Sequence, residues 1–380
     1  MIGTPYTAQL RAKQARLIAA LAAYPRLADI AVPEVVGSAR LFEYRNQAKL
    51  VARRAGRGLL LGVYRPGTHQ VVDISECAVH QAPINAVLAG VRAAVDQSRA
   101  PTYDERSGTG WLRYVVVRSS AWKKSAQLVL VVRDRRWAGE AALLQRLRKL
   151  RGVSSVVLNL NDAPGNAIFG DTFVGATPAT ALLDRVGGLT LSSRAGAFLQ
   201  ANLGAARRVY EQVLRWADPR ADEVAVDLYC GVGAISFYLA GSARLVVGVE
   251  ESPIAVLDAK LNIRLNGYHN VRFLNVAAAV GLAQVAAEVD RIGLVTLNPP
   301  RKGADLATRE AIVACAPHRV IYVSCDPDSL ARDLDWLAAC GYSVAALQPF
   351  DLLPQTEHVE TVALLRRADS GPAQPDDVGR

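Results

Sequence analysis

Two side chains 35 positions apart hold the reactive potential of this chain: Cys325, in "IYVSCDPDSLARDLDWL", and Glu360, in "FDLLPQTEHVETVALL". Cys325 ends a strand-like apolar run and precedes an Asp-Pro that opens a helical pattern. Its thiol therefore falls at a strand tip beside a helix N-terminus, where a thiolate is favoured. Glu360 stands where an irregular connection containing Pro354 gives way to an apolar strand, a setting that raises a carboxylate's pKa. A nucleophile and a base of these types suit one demanding reaction. Carbon 5 of uracil is too weak a nucleophile to take a methyl group unaided. A thiolate added to carbon 6 makes the ring enolate-like, and a base must then remove the proton from carbon 5 so that the thiol can leave. The bland readings are a small buried hydrophobe for the cysteine and a solvated carboxylate for Glu357 or Glu360.

A cofactor signature lies upstream. "VDLYCGVGAIS" puts Asp227, Gly231 and Gly233 at the end of another strand, where glycines let the backbone turn tightly against a ligand and the next helix offers its amides. Glu250, seventeen residues past Gly233, closes the following strand and can take both hydroxyls of a ribose. NAD and S-adenosylmethionine both fit this pattern. Ser236 holds the place of the third fingerprint glycine, which favours S-adenosylmethionine, a ligand with no pyrophosphate to cradle. In "VTLNPPRKG", Asn298 precedes two stiffening prolines and offers an amide donor and acceptor to a planar base. Asn-Pro-Pro followed by an aromatic would point to methylation of an exocyclic base amine, but Arg301 stands in the aromatic's place. Cys230 is a weaker nucleophile candidate, Cys315 and Cys340 read as helix core, and Cys77 has no evident partner.

The elements that must position these residues divide the chain in two. From about Leu203, strand and helix alternate, which predicts a doubly wound, mainly parallel α/β sheet over residues 196–368. Residues 1–195 follow another pattern: a helix from about Ala8 to Ala23, then "NQAKLVAR", "GLLLGVYR", "LRYVVVRS", "AQLVLVVRD" and "SVVLNLND" as strands. An amphipathic helix with Ile84, Val87, Leu88, Val91 and Val95 on one face interrupts them. This predicts an α+β domain on a largely antiparallel sheet. The polar tail, residues 369–380, is expected to be disordered.

Charge divides the same way. Residues 1–190 carry 26 Lys+Arg against 13 Asp+Glu, net +13, whereas 191–380 carry 18 against 22, net −4. The basic half suits a polyanion, most economically nucleic acid. Arg45, Arg113 and Arg118 on its strands are candidate RNA contacts. No apolar run is long enough to span a bilayer and the first residues lack a signal-peptide core, so a cytoplasmic protein with no membrane partner is expected. Five cysteines without close pairing argue against a disulfide framework and a zinc cage.

"DLYCGVG", "NPPRKG", "VSCDPDSLARDL" and "PQTEHVE", in this order, resemble the motifs of the S-adenosylmethionine-dependent RNA uracil-5 methyltransferases, which make 5-methyluridine in ribosomal and transfer RNA. "YRNQAKL", "LRYVVVR" and "AFLQANLGAARRVY" extend the likeness over nearly the whole chain. The resemblance implies a class I methyltransferase domain behind an RNA-binding α+β domain, with Cys325 as nucleophile and Glu360 as base. It places Gln200, Tyr229 and Glu250, with Asp227, Gly231, Gly233 and Asn298, at the cofactor. Asn298 and Arg301, with Arg45, Arg113 and Arg118, fall to the RNA. Asn298 stands where the family usually has an aspartate and ribosomal-RNA branches carry asparagine, so 23S ribosomal RNA is the expected target. Only Cys77 remains of the four N-terminal cysteines that hold an iron–sulfur cluster in many members, so no cluster is expected. The N-terminal OB-like module of some members is missing too, leaving the basic domain to hold RNA. The competing expectations are a transfer-RNA uridine methyltransferase, a methyltransferase of an exocyclic base amine, and a non-catalytic RNA-binding protein.

Overall fold

The computed structural model describes residues 1–368 except 57, 75, 166, 178 and 179; the tail expected to be disordered, 369–380, lies outside the described residues. The chain opens with α1 (Tyr6–Ala22). There follow β1 (Gln47–Ala55), β2 (Gly58–Tyr64), β3 (Val71–Asp73), α2 (Ala82–Ser98), β4 (Leu112–Ser120), β5 (Ser125–Val132), α3 (Glu140–Arg148), β6 (Val153–Leu160), β7 (Thr172–Gly175), β8 (Ala181–Val186) and β9 (Leu189–Arg194).

β1 to β9 belong to a compact unit, Arg40–Leu203, which carries 23 Lys+Arg against 11 Asp+Glu. Its seven-stranded sheet has the order β3-β2-β1-β4-β5-β6-β7 and is antiparallel except where β5 meets β6. One face is covered because α2 turns its Ile84, Leu88 and Val91 stripe, and α3 its Leu143 and Leu147, onto Leu50, Val115 and Leu128. β8 and β9 form a hairpin closed at Gly187–Gly188, with Val186 opposite Leu189.

The rest of the chain supplies α4 (Leu203–Ala217), β10 (Val224–Leu228), α5 (Ala234–Ala240), β11 (Leu245–Val249), α6 (Pro253–Asn266), β12 (Val271–Leu274), α7 (Ala278–Glu288), β13 (Leu294–Leu297), α8 (Leu306–Cys315), β14 (Arg319–Ser324), α9 (Pro327–Ala339), β15 (Tyr342–Phe350) and β16 (Glu360–Arg367). The sheet order is β12-β11-β10-β13-β14-β16-β15, parallel except that β16 runs against both its neighbours. The order reverses between β10 and β13, and ligands of doubly wound sheets bind at the carboxyl ends of strands beside such a switch.

The expected boundary near residue 195 is corrected in one respect. Met1–Ala39 joins Gly204–Arg380 in a single compact unit instead of leading the basic one. The cause is apolar burial: Leu17, Leu21 and Leu27 share a core with Leu330, Leu334 and Leu337 of α9. No helix among the described residues is long and apolar enough to cross a membrane.

Candidate active site

Sheet register brings the two reactive residues together. In the antiparallel β14/β16 ladder the last pair is Ser324 opposite Thr361, so Cys325 and Glu360 are the residues that adjoin that pair at the same end of the ladder, close enough for the Glu360 charge to act on the thiol. On its other side Glu360 pairs with Phe350 of β15. The Glu360 side chain is 6% exposed, and burial pushes its carboxyl up to about 7. No described side chain donates a hydrogen bond or an ion pair to it.

Cys325 is half-buried at the β14 tip. Burial first, then the Glu360 charge, push its thiol above the ordinary value, while Arg301 pulls it down. The expectation of a thiolate favoured by the helix end is therefore not met. Burial and the Glu360 charge outweigh it; Asp326, which caps α9 by accepting from Ser329 N at 3.0 Å, adds only the smallest part of the upward push. Arg301, which is exposed, donates from Nη2 to His358 Nε2 at 3.0 Å. Because a guanidinium has only donors, His358 must accept there and carry its proton on Nδ1.

The glycine turn lies at the tip of β10. Gly231 adopts φ +55°, and a Cβ there would meet nothing within 4 Å. Its N–H donates to Glu250 Oε2 at 3.0 Å, and Ser252 N donates to Oε1 at 2.8 Å, so the carboxylate is held beside that open turn. Gly233 answers to packing: a Cβ would come 2.7 Å from the Phe273 ring. Tyr229 also has positive φ, +57°, and its hydroxyl lies 3.1 Å from Thr308 Oγ1. Asn298 follows β13, half-buried, and its side-chain amide has no hydrogen-bond partner among the described residues.

Asp227 is a correction. It is 0% exposed, and its two oxygens accept from Ser236 Oγ at 2.6 Å and Thr296 Oγ1 at 2.7 Å. Burial raises its carboxyl to about 6 against the pull of these hydroxyls. It has no free face for a ligand and instead ties β10 to α5 and β13. Ser236 and Thr296 went unnoticed as its partners, although a threonine inside an apolar strand was the available sign. Cys230 is no competing nucleophile, because burial, then Asp227 and Glu250, hold its thiol well above the ordinary value.

Four expected residues lie in the Arg40–Leu203 unit. Gln200 is half-buried, and its carbonyl accepts from Asn46 Nδ2 at 3.1 Å. Arg45 is half-buried and donates from Nε to Gln47 O at 3.0 Å. Arg113 and Arg118 do not serve as phosphate contacts, being 3% and 4% exposed. Arg113 donates to the carbonyls of Asn161, Ala163 and Gly165, and its guanidinium lies 4.6 Å from the Tyr103 ring centroid. Arg118 donates to the carbonyls of Ser193 and Arg194, fastening β9 to β4. Every residue of β4 is buried, so a cation on it must find partners inside. Arg118→Ala is accordingly expected to lower stability by roughly 2–3 kcal/mol through stranded carbonyls. Urea unfolding measures this, and the salt dependence of RNA binding should stay unchanged; a smaller salt slope at full stability would contradict it.

Comparison with known proteins bears on this geometry. A family model described as tRNA (Uracil-5-)-methyltransferase matches residues 186–368. An uncharacterized RNA methyltransferase of Geobacter sulfurreducens is 40% identical over 343 residues, covering 90% of this chain and 69% of that one. The chain belongs to the (uracil-5-)-methyltransferase family. A second relative in this family, from Halalkalibacterium halodurans, is 34% identical over 361 residues, covering 95% of this chain and 79% of its own length. The fold resembles the crystal structure of Pyrococcus abyssi tRNA (uracil-54, C5)-methyltransferase in complex with S-adenosyl-L-homocysteine, with a TM-score of 0.75 at 23% identity, over 95% of this chain and 83% of that one.

As a member of this family the protein is an S-adenosylmethionine-dependent RNA methyltransferase of the class I fold. Its residues fit that cofactor. Gly231 leaves open space where a side chain would stand, and Glu250 keeps acceptor capacity beside it for the two hydroxyls of a ribose.

Proposed function

We propose that the protein methylates carbon 5 of a uridine in 23S ribosomal RNA, in the cytoplasm, through a transient bond between Cys325 Sγ and carbon 6 of the ring. The observation that supports this most is that Cys325 and Glu360 lie at the same end of the β14/β16 ladder, within reach of each other's charge, with a carboxyl raised to about 7 by burial. Glu250 and the turn at Gly231 would hold the cofactor, with Tyr229 as a further contact. When bound, S-adenosylmethionine supplies an electrophilic methyl group.

The chain's own residues account for the remaining chemistry. Cys325 Sγ adds to carbon 6, and the displaced electron pair makes carbon 5 nucleophilic with charge on O4. The unpartnered amide of Asn298 suits the paired donor and acceptor of a uracil edge. The Arg301 charge favours sulfur as thiolate, both before addition and on departure. After methylation Glu360 takes the proton from carbon 5, that C–H electron pair restores the ring double bond, and the sulfur leaves. In the basic unit, exposed Arg136 lines a cleft of about 640 Å³ together with Arg133, Asp134, Asp162 and Asp171, and would be a contact to the RNA backbone in place of the buried arginines; Arg135 there is bonded to Glu140.

A transfer-RNA target is favoured by the description of the matching family model and by the substrate in the Pyrococcus protein's name. Asn298 in place of aspartate favours the ribosomal one. Labelled methyl transfer to separated ribosomal and transfer RNA from cells lacking the enzyme, followed by nucleoside analysis, decides. The expected product is 5-methyluridine in 23S RNA. Label confined to transfer RNA would replace the target, and label on adenine would replace the reaction.

A further inference from the structure

We propose that α1 is a splint that holds the nucleophile and base loops in register, with Lys13, Gln9 and Arg16 as positioning residues for Glu360. The inference rests on the catalytic roles proposed above for Cys325 and Glu360. Tyr6, Gln9, Lys13 and Arg16 recur at intervals of three, four and three residues, which places them along one face of α1. Each of them grips residues 351–359, the connection that ends β15 and delivers Glu360.

The contacts form a row. Tyr6 Oη donates to Asp351 Oδ2 at 2.9 Å, and Lys13 Nζ to Asp351 Oδ1 at 2.5 Å. Lys13 also donates to Leu353 O at 3.1 Å. Gln9 and Gln355 bond reciprocally, Nε2 to Oε1 at 2.9 Å and Gln355 N to Gln9 Oε1 at 3.0 Å. Arg16 Nη1 donates to Glu357 O at 3.4 Å. Thus residues 351, 353, 355 and 357 are each tied to α1. Arg16 also reaches the other loop, lying 3.8 Å from Asp326 and 3.9 Å from Asp328, just past Cys325.

This arrangement asks for a function because of where its polar groups lie. Lys13 and Asp351 are each 1% exposed, and a buried ion pair is a poor source of net stability compared with apolar packing. Apart from α1, the connection is held by Asp351 N donating to Val36 O at 3.0 Å, by bonds among Leu353, Thr356 and His358, and by burial of Leu352 and Val359, while Gln355 adopts φ +68°. Strand pairing sets where β16 lies, but the chain reaches Glu360 directly from this connection. A base displaced by about 1 Å can lose about 100-fold in rate. What α1 adds is directional bonds to every second residue of the approach, which apolar contacts would not supply.

The test uses Lys13→Met and the double variant Gln9→Ala/Arg16→Ala in the full chain, with Glu360→Gln and Cys325→Ala as references. Melting curves establish folding, and Gln9→Ala/Arg16→Ala decides alone if Lys13→Met does not fold. The expected result is a fall in kcat of about 10–100-fold, with KM for RNA and cofactor changed less than about twofold. A covalent RNA adduct should accumulate on denaturing gels, as it should for Glu360→Gln. Wild-type turnover in a folded variant overturns the splint, and so does lost turnover without adduct. If Glu360→Gln itself traps no adduct, or Cys325→Ala keeps its activity, the proposed chemistry fails instead.

Discussion

Cys325→Ala is expected to reduce methyl transfer to uridine by at least about 10⁴-fold while cofactor binding stays within about twofold. The magnitude follows from removing the nucleophile of a covalent mechanism, a loss comparable to that of a protease's serine. Carbon 5 of the ring then has no route to the electron density it must donate. The substitution shortens one half-buried side chain at the start of α9, and the Asp326 cap and Pro327 that define that helix are untouched. Stability should therefore change by less than about 1 kcal/mol. Titration with labelled cofactor and single-turnover transfer to RNA measure the two quantities. Turnover that survives in Cys325→Ala would remove the thiol from the mechanism.

Glu360→Gln should stall the reaction one step later. The methyl group is transferred once, the proton on carbon 5 stays, and the enzyme remains bonded to its product; a slow-migrating protein–RNA band on a denaturing gel reports it. Steady-state turnover should fall by roughly 10²–10⁴-fold, the range for loss of a positioned base. If Glu360 is the base it must act as carboxylate, so on the proposed mechanism kcat should climb as pH rises through about 7. The thiol, held above its ordinary value by burial and by Glu360, should extend that climb to higher pH.

Stability runs the opposite way. A carboxyl raised by burial binds its proton more tightly in the fold than in the unfolded chain, so its contribution is full below pH 4.5 and is lost as pH rises through about 7. By that linkage Glu360→Gln should be more stable than the parent at pH 8, by as much as about 3 kcal/mol. The same variant thus gains in a denaturant titration and loses in turnover, and equal stability at pH 8 would count against the buried carboxylate.

Much of the catalytic unit was legible in the sequence because its elements have local signatures. The helix over Ala234–Ala240, the strand ending at Ser324 and the final strand from Glu360 each follow from periodicity and flanking turn residues. Strand tips then single out Cys325, Glu250 and Asn298 as candidates without any knowledge of pairing. What remained illegible depends on contacts across long stretches of chain. The pattern of α1 shows a helix but not which core receives Leu17 and Leu21. Even so, Gln9 and Lys13 fall on the same buried stripe as those leucines, and polar residues there signal an internal partner. Arg113 and Arg118 misled because net charge carries no information on burial, although Leu112 and Tyr114 flanking Arg113, and Val115, Val116 and Val117 before Arg118, were the warning. The β8/β9 hairpin could have been found: Gly187–Gly188 between two alternating runs is a strong short-range turn signal.

The order of strands has a consequence for biosynthesis. β16 emerges from the ribosome after β15 yet lies between β15 and β14, and among the described residues β16 is the only strand of the sheet paired with β15, whose end also bridges Val36. A nascent chain that has finished β15 therefore has nowhere in the sheet to put it. Both strands must enter as one hairpin, and only that late docking sets the carboxylate against the sulfur. On the proposed chemistry, a polypeptide that ends before β16 would carry the thiol of Cys325 without the carboxylate of Glu360 and would lack the group that frees it from RNA.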